Sequence, residues 1–107
     1  MLDTNAKQSS LGAGPLHIDR EAGRALLAGD ELPLTDREFQ VLLCLAERVN
    51  RVVSRSDFLE RVWMVQNDDG TNLLAVYIRR LRRKLGAHAG MIMTIRGIGY
   101  RLRPADA

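Results

Sequence analysis

Residues 71–85 have the sequence TNLLAVYIRRLRRKL, and the rest of the chain is arranged around them. Apolar residues spaced i, i+4, i+7 and i+11 share one stripe of an α-helix, and this spacing is found for Leu74, Ile78, Leu81 and Leu85. The opposite side and its flanks carry Arg79, Arg80, Arg82 and Arg83. The pattern predicts an amphipathic helix that begins near Thr71 and ends at Gly86.

The cationic side of this predicted helix contains no acidic residue. Arginines one turn apart repel each other, and no Asp or Glu at i±4 offsets that repulsion. Most charge runs are solvated helix faces, but such faces usually mix Glu with Lys. Arginine also donates paired hydrogen bonds to phosphate groups and to the edge of guanine. The composition of this face therefore favours a nucleic acid partner over a plain solvated surface.

The charge of the whole chain is divided unevenly along its length. Residues 71–107 contain eight basic groups and one acid, a net charge of +7, whereas residues 1–70 contain eight basic and twelve acidic groups, a net charge of −4. A one-sided field of this kind orients a protein on a polyanion. The length of 107 residues allows one domain with a modest core.

The segments before the first helix are short. Residues 1–14 are small and polar without periodicity, which predicts a flexible linker. Residues 15–34 consist of short apolar pieces separated by turns, which predicts an antiparallel sheet of three strands. We expect the domain to span residues 15–104 and residues 105–107 to form a C-terminal tail.

Two capping boxes predict where the first two helices begin. Thr35 and Glu38 form the first box, and that helix is expected to end at Asn50. Ser54 and Asp57 form the second box. The residues expected to be buried on the first helix are Phe39, Leu42, Leu43, Ala46 and Val49. The second helix, residues 64–70 and the cationic helix together predict a helix-turn-helix with a long connection.

The hydrophobic period changes from 3.6 to 2 after the cationic helix. Residues 91–95 and 99–103 are two short predicted strands, joined by a turn that presents Arg96 and contains two glycines. Arg96 could be an ordinary solvated charge. Its position directly behind the basic helix favours a wing that reaches into the adjacent minor groove.

Residues that often carry metal or redox chemistry do not form a site here. Cys44 is the only cysteine and lies in an apolar helical pattern, which is typical of a buried thiol. His17 and His88 have no second ligand at metal spacing. We therefore predict no metal and no cofactor. No segment has the length of a membrane span or the apolar core of a signal peptide, which predicts a cytoplasmic protein.

Five blocks of sequence, in this order, resemble the effector domain of two-component response regulators of the OmpR/PhoB family. The blocks are 34–43 (LTDREFQVLL), 52–55 (VVSR), 62–63 (VW), 76–85 (VYIRRLRRKL) and 94–102 (TIRGIGYRL). The resemblance covers about residues 15–103. It implies an α+β winged helix-turn-helix fold with an N-terminal antiparallel sheet, three helices and a C-terminal β-hairpin wing.

The resemblance also implies sequence-specific binding of double-stranded DNA, as a head-to-tail pair of copies on direct repeats, and no enzymatic activity. The positions that it places at the major groove or its flanking phosphates are Val76, Tyr77, Arg79, Arg80 and Arg83. We add Asn72, on the polar side at the start of the helix. The positions similar to phosphate contacts are Arg55, Trp63, Arg82 and Thr94. The residue that resembles the minor-groove contact is Arg96.

Two further expectations follow from the same resemblance. Residues 64–70 correspond to the segment through which relatives contact RNA polymerase. The phosphorylated receiver domain of the family is missing from this chain, so we expect a C-terminal fragment that begins within the interdomain linker.

Two positions depart from the pattern of many relatives. Ala75 stands where they carry Asp, which removes a carboxylate able to order a neighbouring arginine such as Arg79. Tyr77 stands where they carry His, and a phenol offers a contact unlike that of imidazole, which indicates a different base preference.

Two other classes of function compete with DNA binding. An enzyme is disfavoured because the sequence has no glycine-rich phosphate loop ending in Lys, no His-x-x-x-His pair and no nucleophile spacing. A winged-helix module that binds RNA or protein is the second alternative. RNA-binding surfaces usually present stacking aromatic residues, whereas aromatic content here is 5%. A protein-binding module is not expected to have an all-basic helix.

Overall fold

The computed structural model describes residues 10–65 and 72–104. The strands in these residues are β1 (Ser10–Ala13), β2 (Leu16–Asp19), β3 (Arg24–Leu27), β4 (Asp30–Glu31), β5 (Val52–Ser54), β6 (Ile92–Ile95) and β7 (Gly99–Leu102). The α-helices are α1 (Asp36–Ala46), α2 (Arg55–Val62) and α3 (Leu73–Leu85), and a 3₁₀ helix follows at Gly86–Met91.

The N-terminal sheet is antiparallel in the order β1-β2-β3-β4, with four strands where the sequence predicted three. The additional strand is Ser10–Ala13, which pairs with β2. The prediction of a linker was therefore wrong for residues 10–13. Their few apolar side chains form a pattern that is too short to predict a strand. Residues 1–9 of the predicted linker and the predicted tail, 105–107, lie outside the described residues.

Gly14 connects this sheet to the end of the wing. Its φ is +58°, and a Cβ atom at this position would overlap the carbonyl oxygen of Pro104. Only glycine tolerates both the left-handed conformation and this close approach of the two backbones. Residue 14 is thus part of the folded domain.

The first helix begins where the capping box predicted. The Glu38 amide donates to Thr35 Oγ1 over 3.2 Å, and the Thr35 amide donates to Glu38 Oε1 over 2.9 Å. The helix ends at Ala46. Asn50 was predicted to end the helix, but it lies beyond that end with a φ of 69° and its amide donates to the Leu102 carbonyl.

The buried face of α1 differs from the prediction. Leu42 and Ala46 are buried as predicted, whereas Phe39, Leu43 and Val49 pack against the core but are only half-buried. The buried apolar residues of this helix are Val41, Leu42, Cys44, Leu45 and Ala46. The helix contacts α2, α3, β1 and β7, so elements on several sides cover it.

The second helix has half of the predicted capping box. Ser54 Oγ accepts a hydrogen bond from the Asp57 amide. The Asp57 carboxylate accepts a hydrogen bond from Arg48 at 2.9 Å. No bond from the Ser54 amide to that carboxylate is found in the described residues, so the reciprocal half is absent.

The third helix carries the predicted apolar stripe. Its buried residues are Leu74, Ile78, Leu81 and Leu85. The helix begins at Leu73, and the predicted start at Thr71 lies outside the described residues.

The C-terminal sheet has the order β5-β7-β6, and its β6–β7 hairpin is the wing that the alternation predicted. Gly97 has a φ of +77° in the turn. A Cβ atom on Gly99 would overlap the Val53 carbonyl oxygen, so this glycine permits β7 to lie against β5. With α2, α3 and the hairpin adjacent, the structure confirms the predicted α+β winged helix-turn-helix.

The described residues lack two features of other classes of protein. No helix within residues 10–65 and 72–104 is long and apolar enough to cross a membrane. The same residues contain no group of three or more His, Cys, Asp or Glu side chains that could hold a metal ion.

Candidate nucleic-acid interface

The outward side of α3 presents arginine to solvent. Arg79, Arg80 and Arg83 are exposed, because the buried stripe that begins at Leu74 fixes the rotation of the helix on the core. In the part of the chain that the structure describes, no carboxylate forms an ion pair with any of the three. These side chains therefore carry unneutralised positive charge on one face.

The backbone of α3 partly offsets the cost of this charge. Arg82, Arg83 and Lys84 occupy the last turn, and the first turn has no acid. Cations near a helix C-terminus interact favourably with the partial negative charge of the terminal carbonyls, by about 0.3–1 kcal/mol. Part of the positive charge is therefore stabilised by the helix itself.

Arg82 joins α3 to the wing. Its Nε and Nη2 donate to the Ile92 carbonyl over 3.2 and 2.8 Å, and Nη2 also donates to Thr94 Oγ1 over 2.8 Å. Its guanidinium carbon lies 6.0 Å from the centre of the Tyr100 ring. These contacts hold β6 beside the helix, so Arg82 and Thr94, both predicted phosphate contacts, lie in direct contact with each other.

The tip of the wing lies next to the start of α2. Arg96 is exposed in the turn between β6 and β7. The Arg55 amide donates to the Ile98 carbonyl over 3.1 Å, which anchors the turn. A cleft of about 250 Å³ lies between wing and helices, and its lining includes Arg55, Leu74, Thr94, Ile98 and Tyr100.

Four side chains form an aromatic and cationic stack, one from α1, one from the C-cap of α2 and two from α3. The Arg37 guanidinium lies 5.4 Å from the centre of the Trp63 ring. Trp63 meets Tyr77 edge to face, with centres 5.6 Å apart and an interplanar angle of 65°. The Arg80 guanidinium lies 5.2 Å from the centre of the Tyr77 ring. We call Arg37, Trp63, Tyr77 and Arg80 the Trp63 stack.

The remaining predicted residues are also on or near this surface. Asn72 is exposed at the N-cap of α3, and its side chain makes no capping hydrogen bond. Val76 is half-buried on the same helix. The structure thus brings the predicted residues of α3, the wing and the ends of α2 to one region.

A partly buried ion pair, with its carboxylate covered, fixes the other end of α3. Lys84 Nζ lies 2.6 Å from Glu38 Oε1 and 2.6 Å from the Pro33 carbonyl oxygen. The Glu38 side chain is 3% exposed. Burial raises the pKa of Glu38, but the hydrogen bonds and charge of Lys84 and the hydrogen bonds from Thr35 outweigh it, so the pKa is lowered below 4.5.

Sequence reasoning missed two residues of this arrangement. Arg37 was placed only inside the first capping box, and no periodic pattern connects it with Trp63, 26 positions later in the numbering. Lys84 was counted with the cationic run, yet it pairs with Glu38. An acid that the capping box turns toward the core is the one signal that could have suggested a buried cation partner.

The cysteine and one histidine lie away from this region. Cys44 is buried, and burial raises the pKa of its thiol, which disfavours the thiolate that a nucleophile requires. His17 is exposed on β2, and its Nε2 lies 3.3 Å from Ser10 Oγ. The predicted description of Cys44 as a buried thiol is confirmed.

A helix-turn-helix followed by a hairpin wing, with a cationic third helix, defines the winged-helix class of transcription-factor domains. Residues 29–102 match the family described as "Transcriptional regulatory protein, C terminal". The chain belongs to this family, the effector domains of OmpR/PhoB-type response regulators, which confirms the resemblance. These domains are transcription factors and not enzymes.

Individual relatives agree with this assignment. The transcriptional regulatory protein PrrA of Mycobacterium leprae is 40% identical over 100 residues, which are 92% of this chain and 43% of PrrA. The chain therefore spans less than half the length of this relative. The DNA-binding domain of CpxR from E. coli matches with a TM-score of 0.81 and 29% identity over 90% of this chain and 97% of that one.

A further solved structure is that of a complex. It is the RstA DNA-binding domain of Klebsiella pneumoniae in complex with the RstA box. It matches with a TM-score of 0.80 and 28% identity, over 89% of this chain and 97% of that domain.

Proposed function

We propose that this domain binds double-stranded DNA sequence-specifically, with α3 in the major groove and Arg96 of the wing in the minor groove. The observation that carries the proposal is the set of exposed arginines on α3 without a carboxylate partner in the described residues. An α-helix fits the width of the major groove, and arginine there donates paired hydrogen bonds to guanine. Phosphate supplies the counter-charge that the protein itself does not.

The contacts divide into two kinds. Arg79, Arg80 and Arg83, with Val76 and Asn72, face the base edges or the phosphates beside them. A second set fixes the orientation of the domain through phosphate groups, and we assign to it Arg55, Trp63, Arg82 and Thr94. Phosphate contacts position a protein on the duplex, whereas base contacts give it its sequence preference.

In this proposal Arg82 both positions the wing and contacts phosphate. Its bonds to Ile92 and Thr94 fix the wing relative to α3, and its charge faces the same surface as Thr94. The distance between the major-groove helix and the minor-groove arginine is thereby set before DNA arrives. A preorganised pair of contacts loses less conformational entropy on binding.

Two protein partners belong to the same proposal. A second copy binds head to tail on the adjacent half of a direct repeat, as the family resemblance implies. RNA polymerase contacts the segment 64–70, where Met64 is 85% exposed. Residues 66–70 of that segment lie outside the described residues, so this partner rests on the family resemblance and on exposed Met64 and Val65.

The proposal is tested by selecting binding sites for the purified chain from a random duplex library and measuring affinity by fluorescence anisotropy. We expect one preferred sequence, with Arg79→Ala or Arg83→Ala relaxing the preference at one base pair by about 1–3 kcal/mol. Arg24→Ala, in the N-terminal sheet, is the matched control for the loss of one charge. Stronger binding to an RNA hairpin or to polymerase alone, without duplex preference, would favour the competing interaction module.

A further inference from the structure

We propose that Tyr77 is a positioning residue whose ring orients the Arg80 guanidinium for a base contact, and that its hydroxyl does not itself select a base. This inference rests on the proposed DNA binding and assigns a role within that interface. It gives one physical reason for a tyrosine at this position of α3.

The first step of the argument is the anchoring of the Trp63 stack. Arg37 Nη1 donates to the Val62 carbonyl over 2.7 Å, which holds this guanidinium at the C-terminal end of α2. Arg37 then covers one part of Trp63, and Tyr77 meets Trp63 edge to face. Both rings are half-buried and pack against the hydrophobic core. The Tyr77 ring therefore has a fixed place on the surface of α3.

The second step concerns the arginine at the end of this stack. Arg80 follows Tyr77 by three positions, so the two side chains are neighbours on one helix face. The Arg80 guanidinium lies 5.2 Å from the ring centre, within the range of a cation–π interaction. Among the described residues, Arg79 and Arg83 have no such aromatic contact. Arg80 is thus ordered in a way that Arg79 and Arg83 are not.

The third step is the charge that this arrangement preserves. A carboxylate can also order an arginine, but it neutralises much of the attraction for phosphate. Helix α3 contains no Asp or Glu, and the Tyr77 ring orders Arg80 without a negative charge. An arginine that is already oriented loses less rotamer freedom when it binds DNA.

The experiment compares Tyr77→Phe, Tyr77→Ala and Arg80→Ala on the duplex selected by the parent chain and on its single-base variants. Arg80→Ala should reduce discrimination at one base pair by about 5- to 150-fold, the range for an arginine–guanine contact. Tyr77→Ala should reduce discrimination at that same base pair by about 2- to 5-fold, because the cation–π contact is lost. Tyr77→Phe retains the ring and should therefore discriminate among the duplexes as the parent chain does.

The intrinsic fluorescence of Trp63 gives a second, DNA-independent measurement, because Trp63 is the only tryptophan of the chain. We expect Tyr77→Ala to shift its emission to longer wavelength as the ring becomes more hydrated, and Tyr77→Phe to leave it in place. Thermal unfolding of each variant checks that it is folded. An unchanged emission wavelength in Tyr77→Ala would contradict the contact between Trp63 and Tyr77.

The outcomes separate this inference from the proposed function. If the parent chain selects a duplex but Tyr77→Phe loses the preference at one base pair, the hydroxyl is a base contact and the inference is wrong. Effects of Tyr77→Ala and Arg80→Ala at different base pairs would contradict it equally. If the parent chain selects no duplex, the proposed function fails, and this role for Tyr77 fails with it.

Discussion

Two groups of basic side chains in this domain differ in how they are neutralised. The paired group consists of Arg20, Arg24, Arg48, Arg61 and Lys84, each within 4 Å of a carboxylate. The unpaired group consists of Arg79, Arg80, Arg83 and Arg96, which have no carboxylate partner among the described residues. The boundary between the groups runs between adjacent residues, since Arg83 is unpaired and Lys84 is paired.

This difference shows that the unpaired charge is a local property of one surface. Sequence counts give residues 71–107 a charge of +7, but some of those groups bond to the protein itself. Lys84 pairs with Glu38, and Arg103 Nη2 donates to the Gly90 carbonyl. The cations that remain for a partner lie on the outer side of α3 and at the wing tip. The protein thus leaves its charge unmatched where a polyanion would lie.

The largest effect on folding is expected from breaking the buried member of the paired group. Lys84→Met keeps the apolar stem but leaves the Glu38 carboxylate buried without its cation. Loss of one partner of a buried pair costs about 3–5 kcal/mol, and we expect about 3 kcal/mol because Lys84 is partly exposed. Chemical denaturation measures the free energy of unfolding. The double variant Glu38→Gln/Lys84→Met should recover part of the loss, and a loss below about 1 kcal/mol in Lys84→Met would contradict this account.

A smaller effect is expected from pH. The folded-state pKa of Glu38 lies below its ordinary value of 4.5, so the unfolded chain binds a proton at this site more readily than the folded one. The stability from this group is present above pH 4.5 and is lost as the pH falls through the lower folded-state pKa. Denaturation at a series of acidic pH values should show that the free energy of unfolding falls more steeply with decreasing pH in the parent chain than in Glu38→Gln. Equal slopes of unfolding free energy against pH in the two chains would show that Glu38 does not contribute to the pH dependence of stability.

The smallest effects on folding are expected at exposed arginines. Arg79→Ala should leave the free energy of unfolding unchanged or raise it by about 0.2–0.5 kcal/mol, because it relieves repulsion from Arg82 and Arg83 one turn away. Arg24→Ala should lower it by at most about 1 kcal/mol, since the Arg24–Glu31 pair is exposed on both sides. Thermal unfolding compares the two variants. A marked destabilisation by Arg79→Ala would indicate a structural role that the exposed side chain does not suggest.

Much of the fold could be predicted because local patterns determine it. The Thr35–Glu38 capping box, the stripe that includes Leu74 and the change of period before the wing are all short-range signals. They were confirmed as helix starts, buried faces and a hairpin. The N-terminal boundary was not predictable in this way. Ser10–Ala13 forms a strand because β2 supplies a partner and Gly14 fits against Pro104, which are tertiary contacts.

The candidate site also has features that the sequence predicted and features that it could not predict. Exposure of Arg79, Arg80 and Arg83 follows from helical periodicity, so the sequence was sufficient for it. The contacts between side chains could not be predicted from the sequence. Arg37 with Trp63 and Arg82 with Thr94 are pairs of residues that are distant along the chain. Roles in DNA contact stay predictions for all of these residues. The structure adds which arginines are held in place and by which neighbours.

The most direct test of the account is the salt dependence of duplex binding for two triple variants that lose the same charge. Arg79, Arg80 and Arg83 are replaced by Ala in one variant, and Arg20, Arg24 and Arg48 in the other. The magnitude of the slope of log affinity against log salt should fall in the first variant, by up to about 0.9 for each arginine whose charge also neutralises a phosphate beside the bases. It should stay near the parental value in the second. Equal slopes in the two variants would show that net charge alone drives binding and would contradict a DNA-binding face on α3.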